Sequence, residues 1–128
     1  MGLFDIIHVE DSLVVRNRLE EIFQSKGLTT YGIGCLEELK TALEEGHRAR
    51  LYITDGNFPE KEGSVASNLD EKAIIEIRKA DFQSPIALFS SEYSAKIIAE
   101  KHGTLYFSKA YPLQLVEYVN RELLPKPK

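Results

Sequence analysis

Apolar residues along this chain follow two alternating patterns. Short runs recur at Phe4 to Val9, Thr29 to Ile33, Leu51 to Thr54, Ile86 to Phe89 and Leu105 to Phe107. Each is too brief for a stable helix and rich in β-branched or aromatic side chains, so each predicts a buried strand. Between these runs, apolar residues return every three or four positions. Ser12 to Ser25 presents Val15, Leu19, Ile22 and Phe23 on one face and stops at Gly27. Leu36, Leu39 and Leu43 mark a second helix that ends near Gly46. Ala73 to Lys79, with Ile74, Ile75 and Ile77 apolar, forms the middle of a third, and Tyr93 to Lys101 a short fourth. Pro112 opens a fifth, whose buried face is Leu115, Val116, Val119 and Leu123. Gly56 to Asn68 is polar and rich in Gly, Pro and Ser, which predicts a loop.

Strict alternation of five strands with five helices implies a parallel sheet covered on both faces. The helices are too few for an eight-fold barrel, and the crossovers should be right-handed. The simplest architecture is a flavodoxin-like, doubly wound α/β fold with a five-stranded parallel sheet in the order 2-1-3-4-5. Its working crevice lies beyond the carboxyl ends of strands one and three. A chain of 128 residues fits one domain over 3–124, with 125–128 as a short disordered tail.

Composition narrows the function classes. With 43% hydrophobic residues the chain can build a core without staples. A net charge of −4 offers no basic surface for nucleic acid. Cys35 is the only cysteine, which excludes an internal disulfide and suits a reducing compartment. No run is apolar enough to cross a membrane, and the first residues lack a signal-peptide pattern. Ile6 stands where a myristoylation motif wants Ser or Thr. The expectation is a soluble cytoplasmic protein with no nucleic-acid or membrane partner.

The polar residues that end the strands carry the candidate chemistry. Strand one ends in Glu10-Asp11, strand three in Asp55, strand four in Ser90-Ser91 and strand five in Ser108-Lys109. In a parallel sheet these ends share one edge. Three carboxylates brought together repel one another unless a cation intervenes, and an all-oxygen site suits Mg²⁺. An aspartate can itself be a nucleophile toward phosphorus. Taken singly, each residue has a plainer role: Glu10-Asp11 as helix-capping acids, Asp55 as a turn residue, Ser90 or Ser91 as N-caps, Lys109 as a solvated lysine, Tyr106 as a half-buried strand aromatic. His8 reads as a core residue, and His47 and His102 as solvent-facing.

Four segments give the set its specificity. Ile6-Ile7-His8-Val9-Glu10-Asp11, Tyr52-Ile53-Thr54-Asp55-Gly56-Asn57-Phe58-Pro59, Pro85-Ile86-Ala87-Leu88-Phe89-Ser90-Ser91 and Tyr106-Phe107-Ser108-Lys109 resemble the signature segments of response-regulator receiver domains, in that family's order and spacing. The resemblance implies that Asp55 accepts a phosphoryl group from a histidine kinase or phosphotransfer protein. It implies Mg²⁺ held by Glu10, Asp11, Asp55 and the backbone carbonyl of Asn57. Lys109 would pair with the phosphoryl group, and Ser90 and Tyr106 would form the switch. Output would pass to a protein target through the face of helix four, strand five and helix five. Asn57 and Glu92 flank the path of hydrolytic water and would tune dephosphorylation, as in fast-cycling chemotaxis-type receivers. Such a protein regulates; at most it phosphorylates and dephosphorylates itself.

The chain departs from the family in Ala110, where proline usually follows the lysine. A cis bond before a non-proline residue costs roughly 3–4 kcal/mol, so Lys109–Ala110 is expected to be trans. The loop after Pro59 is longer than usual and helix four shorter. The long loop and Ala110 suit the alternative of a pseudo-receiver that binds partners without being phosphorylated. A haloacid-dehalogenase-type hydrolase ranks last, because Asn57 stands where its second acid belongs. A flavin site fares no better, since Glu10-Asp11 repels phosphate.

Overall fold

The computed structural model describes residues 2–126. The chain runs β1 (Leu3–Val9), α1 (Leu13–Ser25), β2 (Thr30–Ile33), α2 (Leu36–Glu44), β3 (Arg48–Thr54), β4 (Asn57–Pro59), β5 (Ala66–Asn68), α3 (Asp70–Ala80), β6 (Ile86–Ser90), α4 (Tyr93–His102), β7 (Leu105–Ser108) and α5 (Pro112–Leu123). The main sheet has the order β2-β1-β3-β6-β7 and is parallel throughout. This is the expected 2-1-3-4-5 order, once a small extra hairpin is set aside.

Side-chain alternation along β1 assigns the two cores. Ile6 packs with Leu19 and Phe23 of α1 and Leu115, Val116 and Val119 of α5. Ile7 and Val9 face the other way, onto Leu36 and Leu39 of α2, Ala73, Ile74 and Ile77 of α3, and Ala95 and Ala99 of α4. The register levels the carboxyl ends: Val9 lies between Ile33 and Thr54, and Ser90 lies beside Ser108. Glu10, Asp55 and Lys109 therefore follow their strands at one rim.

The segment read as a loop over 56–68 contains an antiparallel two-stranded sheet. Asn57, Phe58 and Pro59 pair with Asn68, Ser67 and Ala66. Phe58 is fully buried and anchors the hairpin in the larger core. The Ser64 hydroxyl donates to the Lys61 carbonyl at the tip, and the Glu37 amide of α2 donates to the Glu60 carbonyl. Hydrophobicity misleads at Ile22 and Ile75, which are 39% and 44% exposed. Ile22 borders an apolar groove between α1 and α5.

Two histidines are less exposed than expected. His47 packs edge-on against Phe4 and Tyr31. His102 shares a 2.6 Å hydrogen bond with Glu71, which also pairs with Lys101. Of the expected disordered tail, Lys126 pairs with Asp5 at 2.9 Å; Pro127 and Lys128 lie outside the described residues. No helix among the described residues is long and apolar enough to cross a membrane.

Candidate functional site

At the rim, Glu10 is 1% exposed, immediately past β1. Its amide donates to the Ile33 carbonyl (2.8 Å), and its carboxylate accepts from the Ser12 amide at 3.2 Å. The Ser12 side chain caps α1 by accepting from the Val15 amide. Asp11, between them, is exposed. Asp55 follows β3 with its amide bonded to the Val9 carbonyl, and one carboxylate oxygen accepts from the Gly56 amide at 2.7 Å. Thr54, fully buried, donates its hydroxyl to the Asp55 carbonyl. Carboxylate oxygens of Glu10, Asp11 and Asp55 lie within 4.8 Å of one another.

Lys109, reaching in from beyond β7, binds two of these carboxylates. Its Nζ donates to Glu10 Oε1 at 2.7 Å and lies 3.2 Å from Asp55 Oδ1. Burial pushes the Glu10 carboxyl up to about 7; the Lys109 hydrogen bond opposes this and the Asp55 charge adds to it. Burial also pulls against the Lys109 ammonium, but the hydrogen bond to Glu10 and the charge of Asp55 win, so its pKa is raised. The rim thus holds more negative charge than one lysine neutralises. An all-oxygen set, part buried and part open to water, fits Mg²⁺, and a divalent cation there would relieve the strain on Glu10.

Ser90 is buried at the end of β6, its hydroxyl accepting from the Glu92 amide at 3.0 Å. The Tyr106 hydroxyl and the Lys109 amide both donate to the Ser90 carbonyl, at 3.1 Å each. A single carbonyl therefore joins the aromatic on β7 to the turn that carries Lys109. Ser91 does not cap α4: Glu92 occupies that position, and neither side chain bonds the helix amides there. Asn57 and Glu92 are both exposed. Lys109–Ala110 is trans, as the absence of proline led one to expect.

Three participants were missed in the sequence. A Cβ on Gly56 would stand 2.8 Å from Ser90 Oγ, so only glycine lets that hydroxyl sit so close to the residue after Asp55. Asp70, the first residue of α3, is 4% exposed; burial raises its pKa, and the charges of Glu71 and then Asp55 add to the effect. In the sequence it looks like an ordinary helix-opening acid. Arg16 of α1 donates to the Glu10 carbonyl at 3.1 Å, a contact that spacing alone does not signal.

No family model and no curated protein matches the chain. Solved structures do. A CheY-like response regulator receiver domain protein of Methanospirillum hungatei superposes with a TM-score of 0.76 at 17% identity, over 95% of this chain and 94% of that one. A response regulator receiver protein of Sinorhizobium medicae gives 0.72 at 16%, over 95% of each chain. The chemotaxis protein CheY4 of Vibrio cholerae gives 0.72 at 19%, over 95% of this chain and 100% of that one. The chain has the receiver-domain fold.

Proposed function

We propose that the protein is a phosphorylation-dependent signalling switch of a two-component phosphorelay, with Asp55 as its phosphoacceptor. The observation that carries this reading is the meeting of Glu10, Asp11 and Asp55 within 4.8 Å, with Lys109 Nζ 3.2 Å from Asp55. An Asp55 oxygen attacks the phosphorus of a phosphohistidine on a kinase or phosphotransfer protein. The phosphorus–nitrogen bond breaks as the acyl phosphate forms, and the departing imidazole recovers its proton from solvent. Lys109 pairs with a phosphoryl oxygen. Mg²⁺, held by Glu10, Asp11, Asp55 and the Asn57 carbonyl, would neutralise charge on the transferring group. Ser90 turns from the Glu92 amide toward the new phosphoryl oxygens. Tyr106, bonded to the Ser90 carbonyl, passes that movement to the face of α4, β7 and α5, where a protein target binds. The protein regulates rather than turning over a substrate, and its setting is the cytoplasm, where such kinases work.

Incubation with Mg²⁺ and acetyl phosphate, followed by intact-mass measurement, tests this. Wild type gains one phosphoryl group and Asp55→Asn gains none; equal uptake by both, or uptake by neither, overturns the reading. Two departures favour the second reading, a pseudo-receiver: Ala110 follows Lys109 where proline is usual, and the segment after Asp55 carries the β4–β5 hairpin. The same experiment separates the two readings.

A further inference from the structure

Arg16 lies on the α1 side of β2, over two glycines. A Cβ on Gly32 would come within 2.9 Å of Arg16 Cδ and 3.1 Å of its Nε, and would collide with the Glu20 carboxylate. One on Gly34 would stand 3.3 Å from Arg16 Nη1. An added Cβ at either position would meet the Arg16 side chain, so Gly32 of β2 and Gly34 just after it leave a trough that the arginine fills. At its end Nη1 donates to the Glu10 carbonyl at 3.1 Å, a charge-assisted bond. Arg16 also lines a cleft of about 430 Å³ with Asp11, Glu38 and Glu62.

Glu10 is thereby held at its amide by the Ile33 carbonyl, at its carboxylate by Ser12 and Lys109, and at its carbonyl by Arg16. The carbonyl belongs to the peptide plane that orients Asp11, an exposed residue with little else to fix it. We propose that Arg16, seated in the Gly32–Gly34 trough, is a positioning residue that locks the Glu10–Asp11 peptide plane in the orientation a divalent cation requires. This rests on reading Glu10, Asp11 and Asp55 as a metal site. Outer contacts that orient ligands are worth about 10- to 100-fold in metal affinity.

The sign of the effect separates positioning from simple charge. Removing a cation near three carboxylates should by Coulomb's law tighten Mg²⁺ binding, whereas losing the lock weakens it. The test is an Mg²⁺ titration of the full chain, followed by the amide resonances of Asp11 and Asp55. Arg16→Gln should bind about 10- to 100-fold more weakly than wild type, with Arg16→Lys in between. Gly32→Ala should also weaken binding, with no further loss when added to Arg16→Gln. Equal or tighter binding by Arg16→Gln overturns the proposal.

Hydrogen exchange without metal provides an independent arm. In Arg16→Gln, the Asp11 and Ser12 amides should exchange faster while Leu19 and Phe23 are unchanged. Unchanged exchange at Asp11 and Ser12, or acceleration along all of α1, overturns the lock. A wild type that binds no Mg²⁺ counts against the metal reading, and the exchange arm then decides the role of Arg16.

Discussion

Asp5 and Glu10 are buried carboxylates at opposite poles of the sheet, 4% and 1% exposed, one in β1 and one just beyond it. Asp5 accepts from the Thr29 amide at 2.8 Å and hydroxyl at 3.2 Å, and pairs with Arg50 at 3.1 Å and Lys126 at 2.9 Å. Burial alone would raise its pKa, but these partners win and hold it below the ordinary value. Glu10 shares its one ammonium with Asp55, and burial wins. The same chemical group is thus a satisfied brace at one pole and an under-neutralised carboxylate at the other. What differs is the number of donors within reach.

The largest expected loss of stability at neutral pH is at the braced pole. Asp5→Ala leaves the half-buried Arg50 and the Thr29 amide without their partner, and should cost about 2 kcal/mol in denaturant unfolding. Glu10→Gln should behave otherwise. A carboxyl whose pKa rises from 4.5 to about 7 on folding binds a proton more tightly in the folded state, so its ionisation opposes folding. Relative to wild type without metal, Glu10→Gln should therefore gain stability as pH rises from 4.5 through 7. Similar costs and slopes for the two variants would erase the distinction between the poles.

A second pH-dependent effect concerns His8, on the same face of β1 as Ile6. Its ring is 1% exposed and both nitrogens lack partners. Burial, with help from the Lys109 and Arg16 charges, pulls its pKa from 6.5 down to about 3. The folded state keeps it neutral while the unfolded chain protonates. Stability should thus fall as pH drops from 6.5 toward 3, by at most about 1.4 kcal/mol per pH unit from this group. His8→Leu should flatten the slope by that amount; an unchanged slope would assign the acid sensitivity elsewhere.

The smallest effect is kinetic and reads how open the rim is. Asn57 and Glu92 are exposed beside Asp55 and Ser90, so an attacking water finds polar partners. Phospho-Asp55 should be short-lived by the standards of receivers, and Glu92→Leu should slow its decay several-fold. A slow wild-type decay, or no slowing in the variant, would mean that the hairpin closes the rim.

Much of this was legible in the sequence because it depends on alternation. Runs such as Ile86 to Phe89, too short for a helix and preceded by Pro85, predict strands buried on both faces, and a parallel sheet must bring Glu10, Asp55 and Lys109 to one edge. The β4–β5 hairpin was not legible. Its three-residue strands contain Asn, Pro and Ser, which carry little strand preference, and they are held by Phe58 and by pairing with each other. The brace at Asp5 was equally hidden, since its partner Arg50 lies 45 residues away. Nor does spacing show that Asp70 is buried, or that Gly56 makes room for Ser90: both depend on packing between distant segments.

The pairing of Lys126 with Asp5 also has a practical side. It brings the last described residue beside the start of β1, where Gly2 accepts a backbone bond from Arg48. Both described ends of the chain therefore lie at the pole opposite Asp55, about 20 Å away along a strand of this length. A fluorophore or surface linker joined at residue 2 or 126 would leave the carboxylate rim facing outward. The protein could be immobilised through residue 2 or 126 as an oriented layer, with the Glu10–Asp55 rim open to solution.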